Sequence, residues 1–222
     1  MKTLGIILWC GLAAQLTMAG VIETVHCSSA DELEGLGWGN GAFVARGEMD
    51  ILSVSRTDPP AEVEENFSLW NNGVPHAFQV VYNPVGEVTA LSVDDVHAIL
   101  EGPLPIGDDA HTLLLSAGVV SDGGSVVLDN LKITLPGFVI YDVGDSVSAT
   151  AEDYLLVQTD LPLSGGFILS GTATLTWDEG RSVPTSRWFE VTPAAVVPEP
   201  AGGLLLAIGL CGFAARRRGL WR

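Results

Sequence analysis

Residues 166–177 read Gly166-Phe167-Ile168-Leu169-Ser170-Gly171-Thr172-Ala173-Thr174-Leu175-Thr176-Trp177 and alternate strictly in character. One face collects the apolar or small side chains Phe167, Leu169, Gly171, Ala173, Leu175 and Trp177. The other face collects Ile168, Ser170, Thr172, Thr174 and Thr176. Because successive side chains of a strand point to opposite faces, this pattern predicts a half-buried antiparallel strand.

A second long strand is predicted over Ser125–Leu135. The side chains expected to point inward are Val127, Leu131, Ile133 and Leu135. Asp129 falls on the same face, so it needs a polar partner or an exposed strand end, since a buried unpaired carboxylate is costly.

Further short strands alternate with turn signals along the rest of the domain. The strand candidates are Ala42–Arg46, Asn66–Trp70, His76–Tyr82, Glu87–Val93, His111–Val119, Gly137–Tyr141, Ser146–Ala149, Tyr154–Gln158 and Ser186–Val191. The turns are Asn71-Asn72-Gly73, Asn83-Pro84-Val85-Gly86, Asp122-Gly123-Gly124, Ser164-Gly165-Gly166 and Asp178-Glu179-Gly180. About ten strands at this spacing predict an all-β, two-sheet β-sandwich that is jelly-roll-like. No fixed-period repeat points to a solenoid.

One segment is ambiguous between helix and strand. Ser92 could cap a short helix, with Asp94 and Asp95 in its first turn and an end at Gly102-Pro103. The alternative is a strand that ends at Val93 and is followed by a loop. Two other segments are predicted to lack regular structure, a loop over residues 31–41 and a linker over residues 194–200.

The N-terminus has the features of a secretory signal peptide. Lys2 supplies a charge, residues 4–18 are mostly apolar, and Thr17-Met18-Ala19 places small residues at the cleavage positions. Residues 1–19 are therefore predicted to form a signal helix removed by signal peptidase, with Gly20 as the new N-terminus. An uncleaved N-terminal anchor is the alternative, and the apolar run is short for that.

The C-terminus places three unlike features in order, over a linker and sorting region of residues 196–222. The motif Val197-Pro198-Glu199-Pro200 disfavours helix because proline lacks an N–H and restricts its neighbours. Residues 201–215 are apolar or glycine, and residues 216–222 contain the cluster Arg216, Arg217 and Arg218. The 15 apolar residues are fewer than the roughly 20 that span a bilayer, but headgroup contacts and bilayer thinning compensate. We therefore predict a single transmembrane helix with its arginines on the cytoplasmic side.

This order resembles the PEP-CTERM sorting signal of Gram-negative bacteria that make exopolysaccharide. The resemblance covers residues 197–222. It implies that an exosortase, a membrane cysteine protease, recognises the tail and cleaves at or near the motif. The protein would be exported through the inner membrane, anchored as a precursor, and finally periplasmic, cell-surface or extracellular. An ordinary membrane anchor that follows a chance proline motif is the alternative.

The domain over residues 20–195 also resembles the jelly-roll ectodomains often found ahead of such tails. The similar segments are Phe67-Ser68-Leu69-Trp70-Asn71-Asn72-Gly73, Leu128-Asp129-Asn130-Leu131, and residues 166–177. Together they cover 23 of the 176 residues of the domain. The resemblance implies the fold and no particular molecular activity.

Charge and cysteine content restrict the partners of the exported domain. The whole chain has a net charge of −17, and removing Lys2 and the four tail arginines leaves −22. Such a charge repels nucleic acid and anionic lipid. Cys27 is the one cysteine between the signal peptide and the tail, so no disulfide forms within the domain. We expect Cys27 to be a buried apolar residue rather than a free reactive thiol.

Acidic loops make calcium the best-motivated cofactor, although no cofactor is required. Calcium takes six to eight oxygen ligands, which loops near Asp122, Asp129, Asp142 and Asp145 can supply. A zinc site is disfavoured. Asp94-Asp95-Val96-His97 and Asp108-Asp109-Ala110-His111 repeat one pattern, but their spacing fits no zinc motif.

No catalytic signature stands out. The chain has neither a G-x-S-x-G elbow nor an H-E-x-x-H helix, and nothing selects a glycosidase pair from its 27 acids. Trp38 and Trp70 border polar loops and are the better candidates for a sugar platform, whereas Trp177 and Trp188 are expected in core packing. The leading hypothesis is a non-enzymatic sorted surface or matrix protein, with extracellular polysaccharide as a partner. The alternative is a secreted carbohydrate-binding module or carbohydrate-active hydrolase.

Overall fold

The computed structural model describes most of the predicted ectodomain. The described residues are 23–29, 42–48, 50–56, 58–68, 70–104, 106–108, 110–120, 123–178 and 187–194. Outside them lie the predicted signal peptide, the predicted loop over residues 31–41, and the linker and sorting region 196–222.

The described residues form fourteen β-strands and one 3-10 turn at Leu163–Gly165, and they contain no α-helix. The strands are β1 (Glu23–Cys27), β2 (Phe43–Glu48), β3 (Ile51–Arg56), β4 (Ala61–Asn66), β5 (Pro75–Asn83), β6 (Val88–Val93), β7 (Val96–Glu101), β8 (Thr112–Val119), β9 (Ser125–Leu135), β10 (Val139–Asp142), β11 (Val147–Ala149), β12 (Glu152–Gln158), β13 (Phe167–Thr176) and β14 (Arg187–Ala194). The all-β prediction is confirmed for this part of the chain.

The strands form two antiparallel sheets. Sheet I has the order β1-β12-β8-β14-β2-β3-β4, and sheet II has the order β10-β9-β13-β5-β6-β7. Strand β11 also pairs with β9, along residues 126–128, whereas β10 pairs along residues 132–135. One apolar core lies between them and draws side chains from both. Phe43 of sheet I, for example, stacks on Phe167 of sheet II with ring centroids 6.4 Å apart. Two antiparallel layers around one core are consistent with a β-sandwich.

Strand β13 has the faces that the alternation predicts. Phe167, Leu169, Ala173 and Leu175 are buried, and Trp177 packs against the core. The threonines and Ser170 on the other face are only half-buried. Strand β13 lies between β9 and β5 in sheet II, so its inner face is covered by sheet I.

Strand β9 has the predicted ends but not the predicted inner face throughout. A bulge shifts its register against β13, and Asn130 takes a left-handed φ of 52°. The extra residue reverses the alternation, so Val126 and Leu128 are buried before the bulge, and Leu131 and Ile133 after it. The prediction that Val127 points inward is therefore wrong. Asp129 lies at the bulge itself, where the Thr172 hydroxyl contacts its carboxylate.

The ambiguous segment after residue 87 is a β-hairpin. Strand β6 does end at Val93, but the helix alternative is wrong and no long loop follows, because Val96 begins β7. Asp94 and Asp95 form the two-residue turn, with Asp94 at a left-handed φ of 48°. Aspartate tolerates this region better than most residues because its short side chain bonds the local backbone.

Strands β1, β3, β4 and β7 have no counterpart among the predicted strands. Strand β4 reads Ala61-Glu62-Val63-Glu64-Glu65-Asn66 and lies at the edge of sheet I. The prediction of a strand over Asn66–Trp70 is wrong, because Phe67, Ser68 and Trp70 lie outside any strand. Exposed charge on β4 suits an edge strand, since it discourages pairing with another chain.

One end of the molecule, termed here the exit end, is where β14 finishes. Ala194 lies opposite Thr112, and the carbonyl of nearby Ala110 accepts a hydrogen bond from the Leu163 N–H over 2.8 Å. The turn that starts at Leu163 brings Gly165 and Gly166 against Pro136 and Pro84 of sheet II. The β5–β6 and β9–β10 turns therefore lie at the exit end too.

Candidate functional site

The outer face of sheet II carries a continuous row of polar side chains. Strand register places six residues directly opposite one another, one on each strand, so they project from the same face. The row, termed here the polar row, consists of Asp142, Lys132, Ser170, Gln79, Ser92 and His97. Each of these side chains is exposed or half-buried. No single strand displays this row, which requires the register of all six.

A shallow hollow of about 460 Å³ lies over the polar row. Its walls include five members of that row, together with Asn130, Thr172 and Asp94. The described ion pairs do not involve Lys132, so its ammonium group is available to a ligand. Amide, hydroxyl and ammonium groups offer hydrogen bonds to a polar ligand, and Lys132 adds a preference for negative charge.

The β9 bulge shapes one wall of this hollow. At the bulge, the Asn130 amide donates to the Asp129 carboxylate over 2.9 Å. Gly171 lies opposite, where a Cβ would come within 2.8 Å of the Asp129 carbonyl oxygen. A larger residue at Gly171 would therefore push the bulge away, and with it the Asn130 side chain that lines the hollow.

A histidine–aspartate pair closes the end of the hollow near the β6–β7 turn. His76 Nδ1 lies 2.6 Å from Asp94 Oδ2, and Asp94 Oδ1 accepts from the Ala77 N–H over 3.1 Å. The His76 ring is buried edge-on against Trp70, with centroids 5.0 Å apart. These contacts hold the turn in place, and they occupy Asp94, the one carboxylate among the described residues that line the hollow.

The outer face of sheet I carries charge of a different kind. A row termed here the charged row runs across four strands through Tyr154, Ser116, Glu190 and Arg46. Arg46 Nη1 donates to Glu190 over 2.9 Å, and its Nη2 contacts the carboxylate of Glu48. The guanidinium also lies 5.2 Å from the centre of the Trp188 ring, a cation–π contact. Arg46 thus has partners on three sides.

Burial changes the acidity of two groups in this row. It raises the pKa of Glu190 above its ordinary value, and Arg46 offsets part of that rise. The pKa of Tyr154 rises to about 12 because the phenol is buried and donates to Glu152 over 2.7 Å. Neither group is aimed at a hollow in the described structure, so their shifts are best explained by packing.

The calcium candidates do not converge in the described residues. Asp122 lies outside those residues, and Asp129 is engaged at the bulge. Asp142 accepts from the Gly144 N–H over 3.0 Å. Asp145 accepts from His26 Nε2 over 2.8 Å, and this bond is the main reason that its pKa is lowered. Within the described residues no three His, Cys, Asp or Glu side chains are grouped to hold a metal.

The two repeated acid–histidine segments occupy different structural roles. Asp94 is held by His76, whereas His97 belongs to the polar row. Asp108 accepts a hydrogen bond from Ser164 over 2.7 Å, and His111 Nδ1 lies 3.2 Å from the Thr159 carbonyl oxygen. Asp109 lies outside the described residues.

The tryptophans lie mostly in packing positions. Trp70 is only 8% exposed, and its Nε1 donates to the Glu48 carbonyl over 2.8 Å. The prediction that Trp70 forms a sugar platform is therefore wrong. Trp177 packs against the core, Trp188 covers Arg46, and Trp38 lies outside the described residues. Cys27 is buried beside Leu114, Tyr154 and Leu156, as expected of a small apolar residue.

Neither polar face was anticipated from the residues. Lys132 alone stands out in the sequence, because it is the one lysine between the predicted signal peptide and the predicted sorting region. Gln79, Ser92 and Ser170 are isolated polar residues in separate strands. Only the strand register shows that they lie side by side on one face.

The chain matches no protein-family model, and the search of the curated proteins finds no match either. In the part of the chain that the structure describes, no helix is long and apolar enough to cross a membrane. The sorting motif Val197–Pro200 and the basic cluster at residues 216–218 lie outside that part.

Proposed function

We propose that this protein is an exported surface or extracellular-matrix protein, sorted and processed through its C-terminal tail. The observation that carries the proposal is the order of motif, apolar run and arginine cluster over residues 197–218. The signal peptide predicted over residues 1–19 is consistent with it. The partners in this proposal are signal peptidase, an exosortase-type enzyme and the inner membrane. No nucleic acid takes part.

We further propose a jelly-roll-like topology for the displayed domain. After β7 the chain passes from sheet II to sheet I at β8, returns at β9, and crosses again at β12, β13 and β14. Such repeated crossing between two layers is typical of jelly rolls and supports this finer assignment.

A non-enzymatic role is favoured over hydrolysis. Glycoside hydrolysis needs two carboxylates placed about 5–10 Å apart around the bond that breaks. The hollow over the polar row is lined by one carboxylate, Asp94, which His76 and the Ala77 N–H already engage. On the other sheet, Arg46 ties up both Glu48 and Glu190.

Processing in the host tests the sorting proposal. We expect Glu199→Ala, and the double change Pro198→Ala with Pro200→Ala, to leave full-length precursor in the membrane fraction. Glu64→Ala, an exposed change on the edge strand β4, is the matched control and should mature normally. Unchanged maturation of both motif variants on a gel would count against a sorting role for the motif.

Removal of the tail tests the anchor separately. Deletion of residues 201–222 should release the protein from membranes, because the apolar run and its arginines are gone. A deletion variant that still sediments with membranes would show that something else holds the protein there.

Carbohydrate binding is the second candidate function, and the hollow over the polar row favours it. Hydroxyl and amide groups on a rigid sheet can bind the hydroxyls of a saccharide. The mature protein should therefore bind host exopolysaccharide or a glycan on an array, tested with and without calcium. Gln79→Ala should weaken that binding about tenfold, or about 1.4 kcal/mol. Ser53→Ala on sheet I is the control. Equal binding by the two variants would exclude the hollow as the saccharide-binding site.

A further inference from the structure

Exposed apolar side chains are concentrated at the exit end. The described residues include nine large hydrophobic side chains that are exposed. Five of them lie on or next to the turns at this end, namely Val85, Phe138, Val139, Ile140 and Leu161. The most exposed are Val85 at 94%, Phe138 at 92% and Ile140 at 66%. These three residues are termed here the apolar tip. Phe138 and Pro84, the neighbour of Val85, line one shared hollow, so the turns that carry the tip are adjacent.

The backbone at Phe138 is an independent sign that the ring is placed outward for a reason. Phe138 has a left-handed φ of 61°, directly after Gly137 at 92°. Bulky residues are rare in this region because Cβ crowds the neighbouring carbonyl, and glycine or asparagine would make the same turn more easily. An aromatic ring that is 92% exposed buries little area to stabilise the fold, and residues in strained backbone regions cluster at active sites, ligand clamps and switch regions.

An apolar row continues from the tip across sheet II. It runs beside the polar row, on the side nearer the exit end, and its members also lie directly opposite one another. The apolar row consists of Ile140, Thr134, Ile168, Val81, Ala90 and Ile99. Five of its six members are apolar, so the outer face is more apolar towards the exit end than in its middle.

The length of the connecting chain limits how far this end can lie from a membrane. Strand β14 ends at Ala194, and the apolar run begins at residue 201. Even fully extended, seven residue steps span at most about 25 Å. Strands of eight to eleven residues place the opposite end roughly 30 Å further away. While the tail is in the bilayer, the exit end therefore lies within about 25 Å of the membrane, which allows it to face the lipid.

We propose that the apolar tip contacts the lipid bilayer while the tail anchors the precursor. This inference rests on the proposed function, because it needs residues 201–215 in the membrane. Glu87, Glu101 and Asp160 also lie near the exit end and repel anionic headgroups. The contact is therefore hydrophobic and favours neutral lipid. It orients the domain and presents the chain segment around Glu199 to a membrane-bound protease.

Photo-crosslinking of the full-length protein tests the contact. The purified precursor is reconstituted in phosphatidylcholine vesicles with p-benzoylphenylalanine at position 138, 140 or 120. Val120 is the matched control, because it is 77% exposed and lies at the end of β8 opposite the exit end. We expect lipid adducts at 138 and 140, several times more abundant than at 120, and fewer adducts when phosphatidylglycerol is added.

A second variant separates the tip from the anchor. Phe138→Gly suits the left-handed backbone, so it should fold normally while lowering the lipid adduct at position 140 several-fold. Equal adduct yields at 138 and 120 in membrane-bound protein would overturn the tip proposal and leave the anchor intact. A precursor that does not stay with the vesicles would instead overturn the proposed function on which it rests.

Discussion

The outer faces of the two sheets each carry a row of polar groups, but these groups are used differently. On sheet I, Arg46 is shared by Glu190 and Glu48 and is covered by Trp188. On sheet II, Lys132 is exposed and takes part in none of the described ion pairs. Charges that pair with one another are not available to a ligand, whereas polar groups outside such pairs leave a face open to one. Sheet II is therefore the face to test for binding, and sheet I the face to test for stability.

Removing the central cation of sheet I should have the largest effect. Arg46→Met leaves Glu190 and Glu48 half-buried beside each other without a counter-charge. We expect a loss of about 1–3 kcal/mol in the free energy of unfolding, between the values for exposed and buried pairs. Lys132→Met on sheet II is the matched control and should change it by less than about 0.5 kcal/mol. If urea denaturation shows equal losses in the free energy of unfolding for both variants, the charges of the two faces do not differ in their contribution to stability.

The Trp188 ring that covers Arg46 can be displaced without substituting any charged residue. A Cβ at Gly118 would lie 2.6 Å from the Trp188 ring, so Gly118→Ala must push the indole away. We expect a loss of about 1–2 kcal/mol, typical of overpacking. Ser170→Ala on sheet II is the control and should have little effect. An unaltered melting curve for Gly118→Ala would mean that Trp188 moves freely and does not close the face.

The pH dependence of stability should reveal the buried carboxyl of sheet I. Because burial raises the pKa of Glu190 above its ordinary 4.5, the folded state holds that proton more tightly than the unfolded state. The free energy of unfolding therefore decreases as the pH rises from 4.5 through the raised pKa, because ionised Glu190 is less favourable in the folded state. It increases again as the pH falls back over the same interval. Glu190→Gln should be the more stable protein at pH 7, and the difference should vanish below pH 4.5.

Asp145 should show the opposite pH dependence of stability and serves as a control for that experiment. His26 lowers the pKa of Asp145 below its ordinary 3.8, so the stabilisation is present above 3.8 and is lost as pH falls through the lowered value. Asp145→Asn should therefore be less stable than the parent at pH 7 and approach it in strong acid. Parallel pH profiles for the Glu190 and Asp145 variants would contradict both assignments.

The smallest effect on stability is expected from substitutions that shorten side chains of the polar row. Ser92→Ala and Gln79→Ala remove exposed or half-buried polar groups from sheet II, so each should change stability by less than about 0.5 kcal/mol. Their effect should appear instead in saccharide binding. A large loss of stability in either variant would mean that the polar row holds the sheet together.

Local patterns predicted much of the fold, and the failures have identifiable causes. The limits of β9 and the faces of β13 follow from alternation alone. The bulge at Asn130 then reverses the alternation inside β9, and that reversal depends on pairing with β13. Strand β4 escaped detection because its glutamates resemble a solvated loop, although they suit an exposed edge.

The candidate sites were less predictable than the fold. Trp70 borders a polar asparagine–glycine turn in sequence, yet it is buried against Phe67 and His76. The polar row joins six strands, and the residues at its ends, Asp142 and His97, are 45 positions apart in the chain. Neither arrangement leaves a trace in any short window of residues.

The sequence by itself determined the all-β class, the strong negative charge of the part predicted to be exported and the sorting proposal for the tail. These depend on local alternation, composition and the order of motifs, which need no knowledge of distant contacts. Only the tertiary structure decided which polar groups pair and which stay open, and that Phe138 lies at the end where β14 leaves the domain. Register and sheet order are non-local, since they are set by how two layers exclude water from one core.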